Sequence, residues 1–218
     1  MHVPTIYQAD EAWAYELVQR HPLALLISNG HSLPYATHVP VVLPPGPVTG
    51  LTGETLWGHM NRANAHWAEL ARGGAAKLVF TGPHSYITPM SYHTTPAAPT
   101  WNFVAVHLTG TVSPLPEGDD TFTVVARTAD VFEQTFGDNW DPEPSHGYFR
   151  SIVRGVGAFH FEVETVDAMF KLSQEKTRDA RRRVARRLAV AASGCARDLS
   201  ALMHAMDEYD CPYPKEHS

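Results

Sequence analysis

The sequence predicts a mainly β protein with helices at its periphery, and three observations support this. Short segments rich in β-branched and aromatic residues recur along the chain, each closed off by Gly, Pro or Asn. Helical patterns fall at crossovers between these segments and do not alternate with them one for one, which argues for a small closed or split barrel and against a parallel βαβ sheet. No glycine-rich dinucleotide fingerprint and no phosphate loop interrupts the pattern.

The elements follow in order. Asp10 caps a helix over residues 10–20 that places Trp13, Leu17 and Val18 at helical spacing and ends before Pro22. Strands are expected at Leu23–Ser28, Tyr35–Val42, Leu51–Trp57, Lys77–Thr81, Tyr86–Thr88, Phe103–Val112 and Gly157–Thr165. Asn29-Gly30 and Pro45-Gly46-Pro47 read as hairpin turns. Helices are expected at Ala63–Ala71, Asp119–Phe136 and Thr177–Ala192, with a last one at Asp198–Asp207, and Asp138–Gly147 reads as a polar loop. This gives a barrel domain with inserted helices over residues 1–175 and a helical extension over 176–218.

With 218 residues, 44% of them hydrophobic, the chain is long enough to bury its own core. The net charge of -6 disfavours a nucleic-acid partner. The basic run Arg178–Arg187 is the one dissenting feature, and Asp179 within it favours a solvated helix face. Cys195 and Cys211 have neither a CxxC spacing nor clustered histidines, so a reducing cytoplasm is the expected setting. No apolar run approaches the roughly 20 residues of a membrane span, and Met1-His2-Val3-Pro4 does not begin a leader. A soluble, unprocessed protein is expected.

Chemistry concentrates in two polar islands, Gly58–Asn64 and Pro89–Phe103. Imidazole, guanidinium, carboxamide and hydroxyl groups crowd there beside Trp67, Tyr86, Tyr92, Trp101 and Phe103, which suits a large planar ligand with an anionic end. His59 follows an apolar strand, and Gly58 before it removes a side chain where a ligand comes close. A neutral imidazole binds haem iron directly or hydrogen-bonds a flavin. Arg62, at the turn into a helix, offers a guanidinium beside helix N-terminal amides, and either a flavin phosphate or a haem propionate satisfies it. Pro96 and Pro99 stiffen the approach to Trp101 and Asn102, and a buried Asn102 needs a partner. His107 shares a strand face with Phe103 and Ala105. Lys171, followed by Ser173 and Gln174, is a second candidate anion clamp.

Six ordered blocks carry a family resemblance: Met1–Pro4, Ala36–Pro40, Gly58–Asn64, Gly82–Pro89, Pro99–Phe103 with Val106-His107, and Phe170–Gln174. Together they resemble the PaiB-like FMN-binding split-barrel family nearly end to end. The resemblance implies a homodimeric six-stranded Greek-key barrel with cofactor pockets at the subunit interface. PaiB-like proteins usually have a longer, often lysine-containing segment where this chain has only His93–Ala98. The run Thr94–Trp101 and the tail Arg197–Met203 are more similar to the haem-dependent piperazate synthases of the same barrel.

That likeness implies haem b as cofactor, with FMN as the alternative, and His59 as the axial metal ligand. It implies conversion of N5-hydroxy-L-ornithine to L-piperazic acid with loss of water. Tyr92, His93 and Thr95 are then the candidate catalytic proton donors. Arg62 and Lys171 would hold the propionates, and Asn64, Trp101, Asn102 and Gln174 would complete the cofactor contacts. The alternatives are an FMN-binding oxidoreductase and a PaiB-like transcriptional regulator.

Overall fold

The computed structural model describes residues 1–46, 50–138 and 140–209; Pro47 of the expected turn, Asn139 of the polar loop and Cys211 lie outside these. Six strands form a closed barrel: β1 Leu23–Ser28, β2 Tyr35–Val42, β3 Thr55–Asn61, β4 Gly74–Ile87, β5 Thr100–Pro114 and β6 Val156–Lys171. Their order around the barrel is β1-β2-β3-β6-β5-β4, and β1 pairs antiparallel with both β2 and β4. The helices are α1 Glu11–Arg20, α2 Ala65–Leu70, α3 Asp119–Phe136, α4 His146–Ile152, α5 Arg178–Ala189 and α6 Gly194–Tyr209. No helix among the described residues is long and apolar enough to cross a membrane.

Several expectations change, among them that the strand expected at Gly157–Thr165 runs on to Lys171. The strands expected at Lys77–Thr81 and Tyr86–Thr88 are one strand, β4, because Gly82 and Pro83 are buried within it and do not form a turn. The strand expected at Leu51–Trp57 starts at Thr55, after Gly53 turns the chain at φ 83°, and runs on through His59 to Asn61. Part of the expected loop at Asp138–Gly147 closes into a 3-10 turn at Glu143–Ser145 that leads into α4.

The chain forms two compact units, each gathered from separate stretches of sequence. One holds Gln19–Phe80 and His107–Val166. Here β3 and β6 pair so that Leu56 faces Phe161, Gly58 faces Phe159 and Met60 faces Gly157. All six are buried. Burying a Phe side chain contributes roughly 1.5–3 kcal/mol. Both glycines make room for aromatic rings, since a Cβ on Gly58 would lie 2.5 Å from Phe159 and one on Gly157 would lie 2.4 Å from Trp67. A third, Gly110, would set its Cβ 1.9 Å from the carbonyl oxygen of Glu162 on β6. Helix α3 packs against β2 and β3.

The other unit holds Met1–Val18, Thr81–Val106 and the described residues from Asp167 onward. Its N-terminal segment is tied to the end of β6: the Met1 ammonium pairs with Asp167, Gln8 bridges Met169, and the Ala9 amide donates to the Ala168 carbonyl. Leu17 and Val18 of α1 are buried, and Trp13 packs its ring on Phe170 at 5.6 Å. Helix α5 buries Ala180, Val184, Ala185 and Leu188, the apolar stripe of an amphipathic helix, and packs on α6. The Ser200 hydroxyl of α6 donates to the Ala185 carbonyl at 2.7 Å.

Candidate functional site

His59, Arg62 and Asn64 lie in the barrel unit. His59 sits within β3, opposite Ala158. Alternation along β3 buries Leu56, Gly58 and Met60 and turns His59 to the other face. The expected purpose of Gly58 is corrected here: the space it leaves is filled by Phe159, not by a ligand. The His59 ring is half-buried; its Nδ1 is fully buried and has no hydrogen-bond partner among the described residues. Burial lowers its pKa, which favours the neutral ring.

Arg62 leaves the end of β3 held on three sides. Its Nε donates to the Val156 carbonyl at 2.8 Å, its Nη1 pairs with Glu117 at 2.8 Å, and its guanidinium lies 5.3 Å from the Trp67 ring centre. Asn64 caps α2, its Oδ1 accepting from the His66 amide at 3.0 Å and its Nδ2 reaching the Thr37 hydroxyl at 3.4 Å.

His66 was not apparent from the sequence. It is fully buried, with Nδ1 at 2.9 Å from the Thr37 hydroxyl, Nε2 at 2.9 Å from the Ser28 hydroxyl and its ring stacked on Tyr35. An apolar-flanked His two residues after a cap is the one local signal, because both hydroxyl partners come from distant strands. Burial lowers the pKa of His66, and likewise that of His160, which stacks on Trp57 and whose shift is opposed by Asp120.

These depressed values have a consequence for stability. An imidazole whose folded pKa lies below the unfolded value of about 6.5 supplies stability that is complete above that pH and is lost as pH falls toward the folded value. Unfolding free energy measured in urea from pH 8 to pH 5 is therefore expected to be flat down to about 6.5 and then to fall, by at most ~1.4 kcal/mol per pH unit for each such group. His66→Gln should remove part of the slope. A flat profile through pH 5 would contradict this assignment.

The remaining site candidates lie in the other unit. Tyr92, 1% exposed, follows a 3-10 turn at Pro89–Ser91. Burial first, and then the negative charge of Glu175, raise its pKa, so the phenol keeps its proton. Its hydroxyl faces Ser173 without the geometry of a full hydrogen bond, and the Lys176 ammonium lies 4.6 Å from its ring centre. His93, at φ 53°, and Thr95 are exposed.

Trp101 is half-exposed and donates from Nε1 to His84 Nδ1 at 3.3 Å, with Tyr86 beside it. Asn102 is fully buried; its Nδ2 donates to the Ser173 hydroxyl at 2.8 Å, and its Oδ1 has no partner among the described residues. Lys171 donates to the Thr100 hydroxyl and lies 5.8 Å from the Tyr7 ring centre. Tyr7 also escaped the sequence reading. Its hydroxyl donates to Glu175 at 3.0 Å, and burial together with that carboxylate pushes its pKa up to about 12. Gln174 folds back on its own strand end, accepting from the Leu172 amide at 2.7 Å and donating to the Phe170 carbonyl.

Relatives agree with this architecture. The Bacillus subtilis protein described as "Protease synthase and sporulation protein PAI 2" is 28% identical over 186 residues, which is 81% of this chain and 83% of its own length. A conserved hypothetical protein from Mycobacterium tuberculosis has a solved structure that superposes with a TM-score of 0.55 at 11% identity, covering 80% of this chain and 92% of its own. The flavocytochrome Anf3 from Azotobacter vinelandii superposes at 0.53 with 12% identity, covering 78% of this chain and 72% of its own. At such identities the structural likeness concerns the fold, a split barrel. A sequence profile matches residues 1–165, and the chain belongs to the family that profile describes, the "Putative FMN-binding domain" proteins.

Proposed function

We propose that this chain binds FMN and acts as a PaiB-like oxidoreductase, with Arg62 receiving the flavin phosphate. One observation supports this above the others: Arg62 is pre-oriented by Val156 and Trp67, yet its acidic partner Glu117 has a side chain 64% exposed. An ion pair that open to water contributes about 0–1 kcal/mol, so a phosphate dianion can replace Glu117 at little cost. A charge-assisted contact to the phosphate is stronger, about 1.5–3 kcal/mol. FMN bound there would supply hydride or single-electron transfer, while the chain holds and orients it.

The test is titration of FMN, followed by quenching of its fluorescence. Arg62→Gln, with its folding checked by circular dichroism, is expected to weaken binding by about 10–100-fold. Unchanged affinity would refute the role of Arg62. Glu117→Gln, which removes the competitor, is expected to leave binding equal or tighter.

A second reading rests on His59, within β3 and three residues before Arg62. A neutral imidazole whose buried Nδ1 has no partner among the described residues would suit a ligand that holds haem iron through Nε2. No group of three or more His, Cys, Asp or Glu side chains among the described residues is placed to hold a bare metal ion, whereas haem asks the chain for only one. Haem b bound there would supply an iron that activates an N–O bond. The chain would then be a piperazate synthase-like cyclase converting N5-hydroxy-L-ornithine to L-piperazic acid and water. Tyr92, His93 and Thr95 are its candidate proton-holding groups, and Tyr92 is the one whose surroundings favour the protonated form. Reconstitution separates the two readings: a flavin band near 450 nm supports the first, and an intense Soret band supports the second. Both readings take the working form to be a homodimer, which light scattering would check.

A further inference from the structure

The arginines of α5 are used unequally. Arg181 pairs with Asp207 at 2.6 Å, and Arg178 donates to the Asp207 carbonyl. Arg183 donates from Nε to the Ser91 carbonyl at 3.2 Å and from Nη2 to the Tyr92 carbonyl at 2.7 Å. Arg182 and Arg186 are exposed and make no ion pair among the described residues. Beside them, where α5 packs on α6, lies a cavity of about 380 Å³ lined by Asp179, Arg182, Arg183, Arg186 and His204.

The four lining residues of α5 are spaced three, one and three apart, which places them on one face of the helix. Arg186 lies four and three residues from Arg182 and Arg183, spacings at which like charges repel, and Asp179 offsets only part of that charge, so an added anion is favoured there. One carboxylate against three guanidinium groups leaves two net positive charges, the complement of a phosphate dianion and one more than a carboxylate requires. Guanidinium forks also match the geometry of phosphate oxygens. The volume lies near the low end for small-molecule sites, with room for a phosphate and a small substituent.

We propose that this cavity binds a small phosphate-bearing molecule, its phosphate held by Arg182, Arg186 and the Nη1 of Arg183, with His204 closing the site from α6. Asp179 accepts from a hydroxyl or ammonium group on the ligand and excludes a second anionic group. The site is independent of the cofactor reading, because none of its residues takes part in that reading. Arg183 links it to Ser91 and Tyr92, whose carbonyls the same side chain holds.

The test uses the full chain without added cofactor. Inorganic phosphate is titrated by calorimetry at ionic strength held constant with sodium chloride, and glycerol 3-phosphate is titrated in a parallel arm. Saturable binding of one phosphate per chain is expected. The double variant Arg182→Gln with Arg186→Gln should weaken it at least tenfold, while Arg187→Gln, on the same helix but outside the cavity, should not. Tighter binding of the ester would identify a phosphomonoester as the ligand, and tighter binding of phosphate would identify the free ion. No heat beyond that of chloride alone, or equal binding by the double variant, overturns the proposal. So does duplex DNA binding with steep salt dependence in the absence of phosphate saturation, which would make α5 a nucleic-acid face.

Discussion

A Gly110→Ala protein is expected to be severely destabilised. The added methyl would lie 1.9 Å from the Glu162 carbonyl oxygen and 3.0 Å from the Phe161 ring. Overpacking of a core commonly costs about 1–3 kcal/mol, and the cost rests at the upper end or beyond when the obstacle is backbone, which cannot move to a new rotamer. Here β5 and β6 are neighbours in a closed barrel, so β6 cannot retreat without disturbing β3 on its other side. Against a total stability of about 5–15 kcal/mol, a loss of ~3 kcal/mol is severe. It should lower the melting temperature by about 6–12 °C in a chain of this size. Gly147→Ala in α4 is the control, because nothing lies within 4 Å of its added Cβ. Melting curves by circular dichroism check both, and a Gly110→Ala protein as stable as the control would contradict the barrel register.

The second large effect is expected from His59→Ala. Removing a ring whose buried Nδ1 makes no hydrogen bond takes away an unpaired polar group as well as packing, so the two changes oppose each other and the fold should persist. Under the haem reading the Soret band of reconstituted protein should drop to the level of unbound haem. Under the flavin reading the 450 nm band should survive. Retention of a full Soret band by the folded variant would exclude His59 as the axial ligand, whatever else holds the porphyrin.

Where the side-chain period was regular, the sequence was a good guide. Leu23–Ser28 and Tyr35–Val42 were placed to the residue because apolar positions and turn signals coincide there. The strand around His59 was shifted because glycine at its second buried position hides the alternation Leu56, Gly58, Met60. Gly82 and Pro83 looked like a break, although a proline has an extended φ and disturbs a ladder only where its missing amide is needed. At the candidate site, residue types were legible but commitments were not. Asn64 and Gln174 spend their amide groups on nearby backbone and Thr37, while Asn102 keeps one acceptor open. His66 was hidden for a related reason: its partners lie 38 and 29 residues away in sequence.

The pairing of the first residues with the end of β6 constrains how the protein is made. Gln8 and Ala9 have their partners at Met169 and Ala168, about 160 residues later. At roughly 5–20 residues per second, a ribosome exposes that leading segment for about 10–30 s before its complement exists. The unit that joins these stretches therefore cannot close until Ala168 and Met169 emerge, and Trp13 waits in water for its ring partner Phe170.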